Sequence, residues 1–167
     1  MFLPSLRRSA AVFALLLAAF ACPRTTCAAD SVPADLVLTR FSGPEITPCV
    51  ACLAVSAQGE VFAGVDLNGS LGKGPGKGRI VKLLDTDKDG VADKHTVFAL
   101  IDNPRGLLAI GTQVFVLHTN HGPEGKATGM NLVLLEDADG DGVADGPARV
   151  LVRNICVSKA INDRGTD

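Results

Sequence analysis

Two short acidic stretches have residue types and spacing suited to holding a hard cation. Asp85, Asp87, Asp89, Gly90 and Asp93 stand at positions 1, 3, 5, 6 and 9 of a calcium-loop pattern. Asp137, Asp139, Asp141, Gly142 and Asp145 repeat it. Alternate carboxylates in a tight turn converge on one ion, and Gly at position 6 permits the sharp reversal. The position-7 oxygen would be the backbone carbonyl of Val91 or Val143. Four carboxylates within a few Å repel by ~1 kcal/mol per pair in water and by more near a protein surface, which a bound ion relieves. The pattern departs at position 12, where Thr96 and Ala148 replace the bidentate Glu. The expected affinity is therefore weak, on the order of 10⁻⁴–10⁻³ M. A metal-free Asp-Gly hairpin turn is the plainer alternative.

Other chemistry is thinner. Cys49 and Cys52 form a CxxC, but Leu53 follows where c-type haem attachment requires His. A zinc site would need a second ligand pair, and only Cys156 and distant His residues are present. In a regular strand the pair would lie about 10 Å apart at ~3.3 Å per residue, too far for a disulfide, unless Pro48 puts Cys49 in a turn. These cysteines read as small apolar fillers. The glycine-rich run Asn68–Arg79 matches neither phosphate-binding signature and lies between two apolar segments. It reads as an interstrand loop, or as a basic lip of Lys73, Lys77 and Arg79 facing an anion. His118 and His121 form an HxxH with no evident third ligand, which points to polar surface.

A repeat of about 52 residues positions these groups. Leu53–Val55 corresponds to Leu108–Ile110, Val61–Ala63 to Val114–Val116, and Ile80–Leu84 to Leu132–Glu136. The two acidic stretches then align without a gap, and Thr96–Leu100 corresponds to Arg149–Arg153. Each unit holds four short segments rich in Val, Leu, Ile and Phe, separated by turn residues. Gly and Asp clusters interrupt every run before about 10 residues, too soon for helices. Period, strand number and strand length predict an all-β chain forming a partial β-propeller of about two to three four-stranded blades. The expected organisation is a signal segment at 1–29 and a linker with a first strand, Leu36–Phe41, within 30–47. Blades follow at 48–102 and 103–154, with the start of a further blade at 155–167. A closed propeller needs at least about four blades, so the expectation is an N-terminal fragment whose missing downstream blades cover its open faces.

The leader reads as an export signal. Arg7 and Arg8 precede the apolar run Ala10–Ala21, and small residues at Cys27 and Ala29 allow cleavage before Asp30. That run is too short to span a bilayer, which takes about 20 residues. An uncleaved anchor, or lipidation at Cys22, would instead tie the chain to a membrane. Export to the periplasm or cell surface is expected. Cleavage leaves Cys49, Cys52 and Cys156, an odd number. Without Arg7, Arg8 and Arg24 the 16 basic residues fall to 13 against 18 acidic ones, which argues against nucleic acid. Phe41, Phe62, Phe98 and Phe115 remain, and the chain has neither Trp nor Tyr. That excludes an RNA-binding sheet built on stacking aromatics and a Trp-Asp-repeat propeller.

Several runs carry a family resemblance. They are Leu67–Val81, Asp102–Leu107, Val116–His118, both Asp-rich stretches and Asn162–Asp167. From Leu53 to Asp167 the chain resembles the membrane-bound dehydrogenase propellers of large bacterial haem-binding proteins, distant relatives of the quinoprotein glucose and sorbosone dehydrogenases. The resemblance implies a six-bladed propeller that uses pyrroloquinoline quinone and calcium to oxidise a sugar or alcohol. A haem c domain, absent from this chain, often follows. It points to Arg105 and His118 as cofactor-binding residues. In the family the Arg-Gly-Thr-Asp run leads into a His that aligns with the catalytic base, and this chain ends at Asp167 before that His. The family usually has Glu-Gly where Val50-Ala51-Cys52 stand here. No turnover is expected from the fragment alone. The alternative is a non-enzymatic surface propeller that binds carbohydrate or protein.

Overall fold

Runs of β-branched and aliphatic residues punctuated by Gly and Asp build strands throughout. The computed structural model describes residues 33, 35–68 and 74–155. The expected signal segment, Lys73 of the basic lip, Cys156 and the Asn162–Asp167 run lie outside the described residues. Met1–Val37 and Leu38–Asp167 are separate compact units. Within the first, the Leu36 amide donates to the Pro33 carbonyl at 2.9 Å. The second holds eight strands: β1 (Val50–Val55), β2 (Val61–Asp66), β3 (Gly78–Leu84), β4 (Lys94–Ala99), β5 (Pro104–Ile110), β6 (Gln113–His121), β7 (Ala127–Glu136) and β8 (Arg149–Val152). They form two four-stranded antiparallel meanders, β1-β2-β3-β4 and β5-β6-β7-β8. No helix occurs among the described residues, so none there is long and apolar enough to cross a membrane.

Burial separates central strands from edge strands. In β2, Phe62–Asp66 are all buried, as are Ile80–Leu83 in β3, whereas β1 exposes Leu53 and Val55. A strand covered on both faces must be apolar at successive positions, and an edge strand need not be. Alternate side chains then serve different cores. Phe62, Ile80, Phe98 and Ile101 from the first sheet and its exit pack with Val114, Val116, Val133 and Leu135 of the second. The rings of Phe62 and Phe98 meet edge to face at 5.1 Å and 81°, a favoured aromatic geometry. Ala63, Val65, Val81 and Leu83 line the opposite face of the first sheet, where Phe41 and Ile46 cover them. Second-sheet strand β5 packs against β1 and β2. Close backbone approach at this junction requires Gly78, because an added Cβ would overlap the Ile101 carbonyl and stand 2.7 Å from the Asn103 amide nitrogen.

The strand expected over Leu36–Phe41 does not form. An apolar run becomes a strand only where a ladder partner is available, and Leu36, Val37 and Leu38 are 61–88% exposed. Phe41 instead makes one turn contact, its carbonyl accepting from the Ala92 amide at 2.8 Å. The same contact recurs in the second unit, where the Phe98 carbonyl of β4 accepts from the Ala144 amide at 2.8 Å. Gly90 likewise faces Thr39 Oγ1 as Gly142 faces Thr96 Oγ1. Thr39 and Phe41 thus stand against the first acidic turn as Thr96 and Phe98 stand against the second.

Candidate metal centre

Both acidic stretches form the turns into the outer strands, 85–93 between β3 and β4 and 137–148 between β7 and β8. Short polar side chains cap their own turn amides here, which fixes the carboxylates before any ligand arrives. In the first loop Asp85 accepts from the Asp89 amide at 3.2 Å through Oδ1 and from the Gly90 amide at 2.9 Å through Oδ2. Asp87 Oδ1 and Asp89 Oδ1 accept from the amides of Asp89 and Val91 at 3.3 and 2.8 Å. The second loop repeats the scheme. Gly142 donates to Asp137 Oδ2 at 3.1 Å, Asp141 to Asp139 Oδ1 at 3.1 Å, and Val143 to Asp141 Oδ1 at 2.8 Å. Gly90 and Gly142 at position 6 have φ of 90° and 89°, the left-handed region that Gly enters without strain.

The carboxylates converge differently in the two loops. Oxygens of Asp85, Asp87 and Asp89 lie within 4.8 Å of one another, and so do those of Asp137, Asp139 and Asp145. Position 9 therefore joins only the second cluster, and position 5 only the first. The residue at position 2 accounts for the former. Thr86 Oγ1 donates to Asp93 Oδ2 at 2.5 Å and holds Asp93 aside, while Ala138 offers Asp145 only its amide at 2.6 Å. That hydroxyl draws the Asp93 carboxyl below its ordinary value. At Asp87 the Asp89 amide pulls the same way, but desolvation and the neighbouring carboxyls of Asp89, Asp85 and Asp93 outweigh it and raise the group. The side chains of Val91 and Val143 are 45% and 42% exposed, as suits residues offering only a carbonyl.

Asp137 differs from the other aspartates of the two loops. It is 5% exposed, and its Oδ1 is buried with no hydrogen-bond partner. A buried carboxylate oxygen without a donor is costly, and a cation at this oxygen removes the cost. The donors in both clusters are carboxylate oxygens, the set preferred by hard cations. Both clusters could thus hold a metal, and the second has the better-prepared oxygen.

Residues 32–154 match a family model described as a domain of unknown function, DUF7133. The chain belongs to the DUF7133 family. No curated protein matches it.

Elsewhere the DUF7133 domain brings Arg105 and His118 to one end of the second sheet. Pro104 pairs with His118 across β5 and β6, and a bulge between Pro104 and Gly106 sets Arg105 outside the ladder. The Arg105 guanidinium lies 3.7 Å from Asp66 Oδ2, which also accepts from Asn103 Nδ2 at 2.9 Å. Asp66 is fully buried at the junction of the sheets, so Arg105 takes part in a link between them. His118 lies three residues inside the end of β6 and lines, with His121 and Asp102, a cavity of about 470 Å³. Burial pushes its imidazolium below the ordinary value, against the backbone of Thr119 and Asp102 and the Asp102 carboxylate. Both histidines of the HxxH lie on β6, and among the described residues they join no cluster with the geometry of a metal site.

Of the two cysteines in the CxxC, only Cys49 departs from the expected role of a core filler. Cys49 is exposed, at φ 50°, in the turn suggested by Pro48, so it is not a core filler. Cys52 packs toward Gly64, and burial raises its thiol to about 11. Both are free thiols. Arg79 donates to the Ile46 carbonyl at 3.5 Å, so its charge supports the segment covering the first sheet.

The residue that pattern reading missed is Lys82. Its ammonium contacts Glu60 Oε1 at 2.8 Å and Asp137 Oδ2 at 3.2 Å, with the side chain 10% exposed. Desolvation pulls it down, but hydrogen bonds and charges of Glu60 and Asp137 outweigh this and hold it above the ordinary lysine value. The available signal was a lone charge inside the apolar run Ile80–Leu84.

Proposed function

We propose that this DUF7133 domain is a calcium-braced section of an exported β-propeller, acting as scaffold rather than as a catalyst by itself. The observation that carries the reading is that Asp137, one of a cluster of three carboxylates, is buried and leaves its Oδ1 without a hydrogen-bond partner. Two consecutive meanders of like order, each with its acidic turn against the backbone before it, support reading the sheets as neighbouring blades. The resemblance to quinoprotein sugar and alcohol dehydrogenases supports a parent oxidoreductase in the periplasm or at the cell surface. In that parent pyrroloquinoline quinone would carry the redox chemistry, with Arg105 and His118 at the cofactor end.

Calorimetry with Ca²⁺ tests the brace. The wild type should bind weakly, on the order of 10⁻⁴–10⁻³ M, and Asp87→Ala and Asp139→Ala should each remove heat. Unchanged heats in both variants would overturn it. Residues 30–167 mixed with the quinone, Ca²⁺, an aldose and a redox dye should leave the dye unreduced, and reduction would overturn the scaffold reading.

A further inference from the structure

The two acidic loops share a pattern but differ in what surrounds it. In the first, both oxygens of Asp85 are engaged by turn amides, and Thr86 holds Asp93 away. In the second, Asp137 divides its oxygens. Oδ2 takes the Gly142 amide and the Lys82 ammonium, while Oδ1 has no partner. Lys82 comes from β3 of the other sheet, 55 residues earlier in the chain. It is shared with Glu60, which Ser56 Oγ fixes through Oε2 at 2.9 Å. Glu60, Lys82 and Asp137 together line a cavity of about 290 Å³, with Phe62, Phe98 and Gly140 among its other walls.

We propose that the second loop is the principal cation site of the chain, and that Lys82 sets its affinity as a tethered rival cation reaching across from the first sheet. This rests on the calcium reading above and deepens it by naming the residue that regulates the site. Without metal, the ammonium neutralises part of the charge on Asp137 and keeps the cluster tolerable. A divalent ion arriving at Oδ1 meets that ammonium across one carboxylate. The two positive charges repel, and the ammonium shifts toward Glu60, where its shorter contact already lies. Glu60 therefore acts as the site that receives Lys82 when the ion binds, and it is a positioning residue rather than a ligand. The first loop lacks both the free buried oxygen and the tether, so it is the weaker site.

Calcium calorimetry on the intact chain separates the possibilities. Asp139→Ala should abolish the tighter binding event, and Asp87→Ala only the weaker. Lys82→Met should tighten the second site roughly tenfold, the size of a divalent–monovalent repulsion at about 6 Å in a water-like dielectric. Glu60→Gln should weaken it, and that weakening should largely vanish in the Lys82→Met background, because Glu60 acts through Lys82. If Lys82→Met does not fold, Lys82→Gln takes its place in the comparison. Wild-type binding with Lys82 variants unchanged or weaker would overturn this proposal and leave the calcium reading standing. Loss of the tighter event in Asp87→Ala would do the same. Absence of any heat in the wild type would remove both.

Discussion

Position 4 of the acidic turns is Lys88 in the first and Gly140 in the second, and both adopt a left-handed backbone, with φ of 62° and 77°. A Cβ in that region costs roughly 1–2 kcal/mol, which Gly avoids. Lys88→Gly should therefore stabilise the chain by about 0.5–1 kcal/mol despite the added freedom of the unfolded state. Chemical denaturation in the absence of Ca²⁺ measures this, and a loss of stability would count against the strain. The pattern of carboxylates was legible residue by residue, because an Asp at alternate turn positions caps its own amides wherever it stands. What escaped sequence reading was which carboxylates converge. That depends on the hydroxyl of Thr86 against the methyl of Ala138, and on a lysine whose partner lies in another sheet.

At the scale of elements, strand identity was readable where side chains announce it. Ile80–Leu84 and Leu132–Glu136 lie in β3 and β7 as their β-branched and aliphatic content predicts. β6 and β7 run further than expected, to His121 and from Ala127, because their polar ends pair with each other through Asn120 and Gly129. Composition does not reveal such pairing. The segment before Phe41 failed in the opposite direction, being apolar enough for a strand and lacking a ladder. β6 also carries a pH dependence. Free histidine titrates near 6.5, and His118 in the fold titrates lower because it is desolvated. The unfolded chain thus binds this proton more readily, so its contribution is intact above pH 6.5 and is lost as pH falls through the window below it. Thermal melts between pH 7.5 and 5 should show that decline, and His118→Gln should flatten it. An equal decline in the variant would assign the effect elsewhere.

For the whole molecule, metal occupancy should appear as stability. An ion that binds only the folded chain at 10–100 times its Kd adds about 1.4–2.7 kcal/mol per site, or roughly 5–10 °C in Tm for a domain of this size. With Ca²⁺ near 10 mM the melting temperature should rise by that amount, and a chelator should reverse it. An unchanged Tm would argue that the clusters stay empty of calcium.

The contact at Thr39 and Phe41 gives the two ends of this sheet pair unequal security. The second acidic turn leans on a strand anchored in a four-stranded sheet, whereas the first leans on Thr39 and Phe41, which have no ladder behind them. Beyond the sheet itself, Phe41 and Ile46 from the ladderless segment, together with Ala92 of the first acidic turn, cover the outward side of Val65 and Val81. Local opening begins where few buried groups must separate. Amide exchange and protease nicking should thus start at this thin cover, and loosening should spread inward from there.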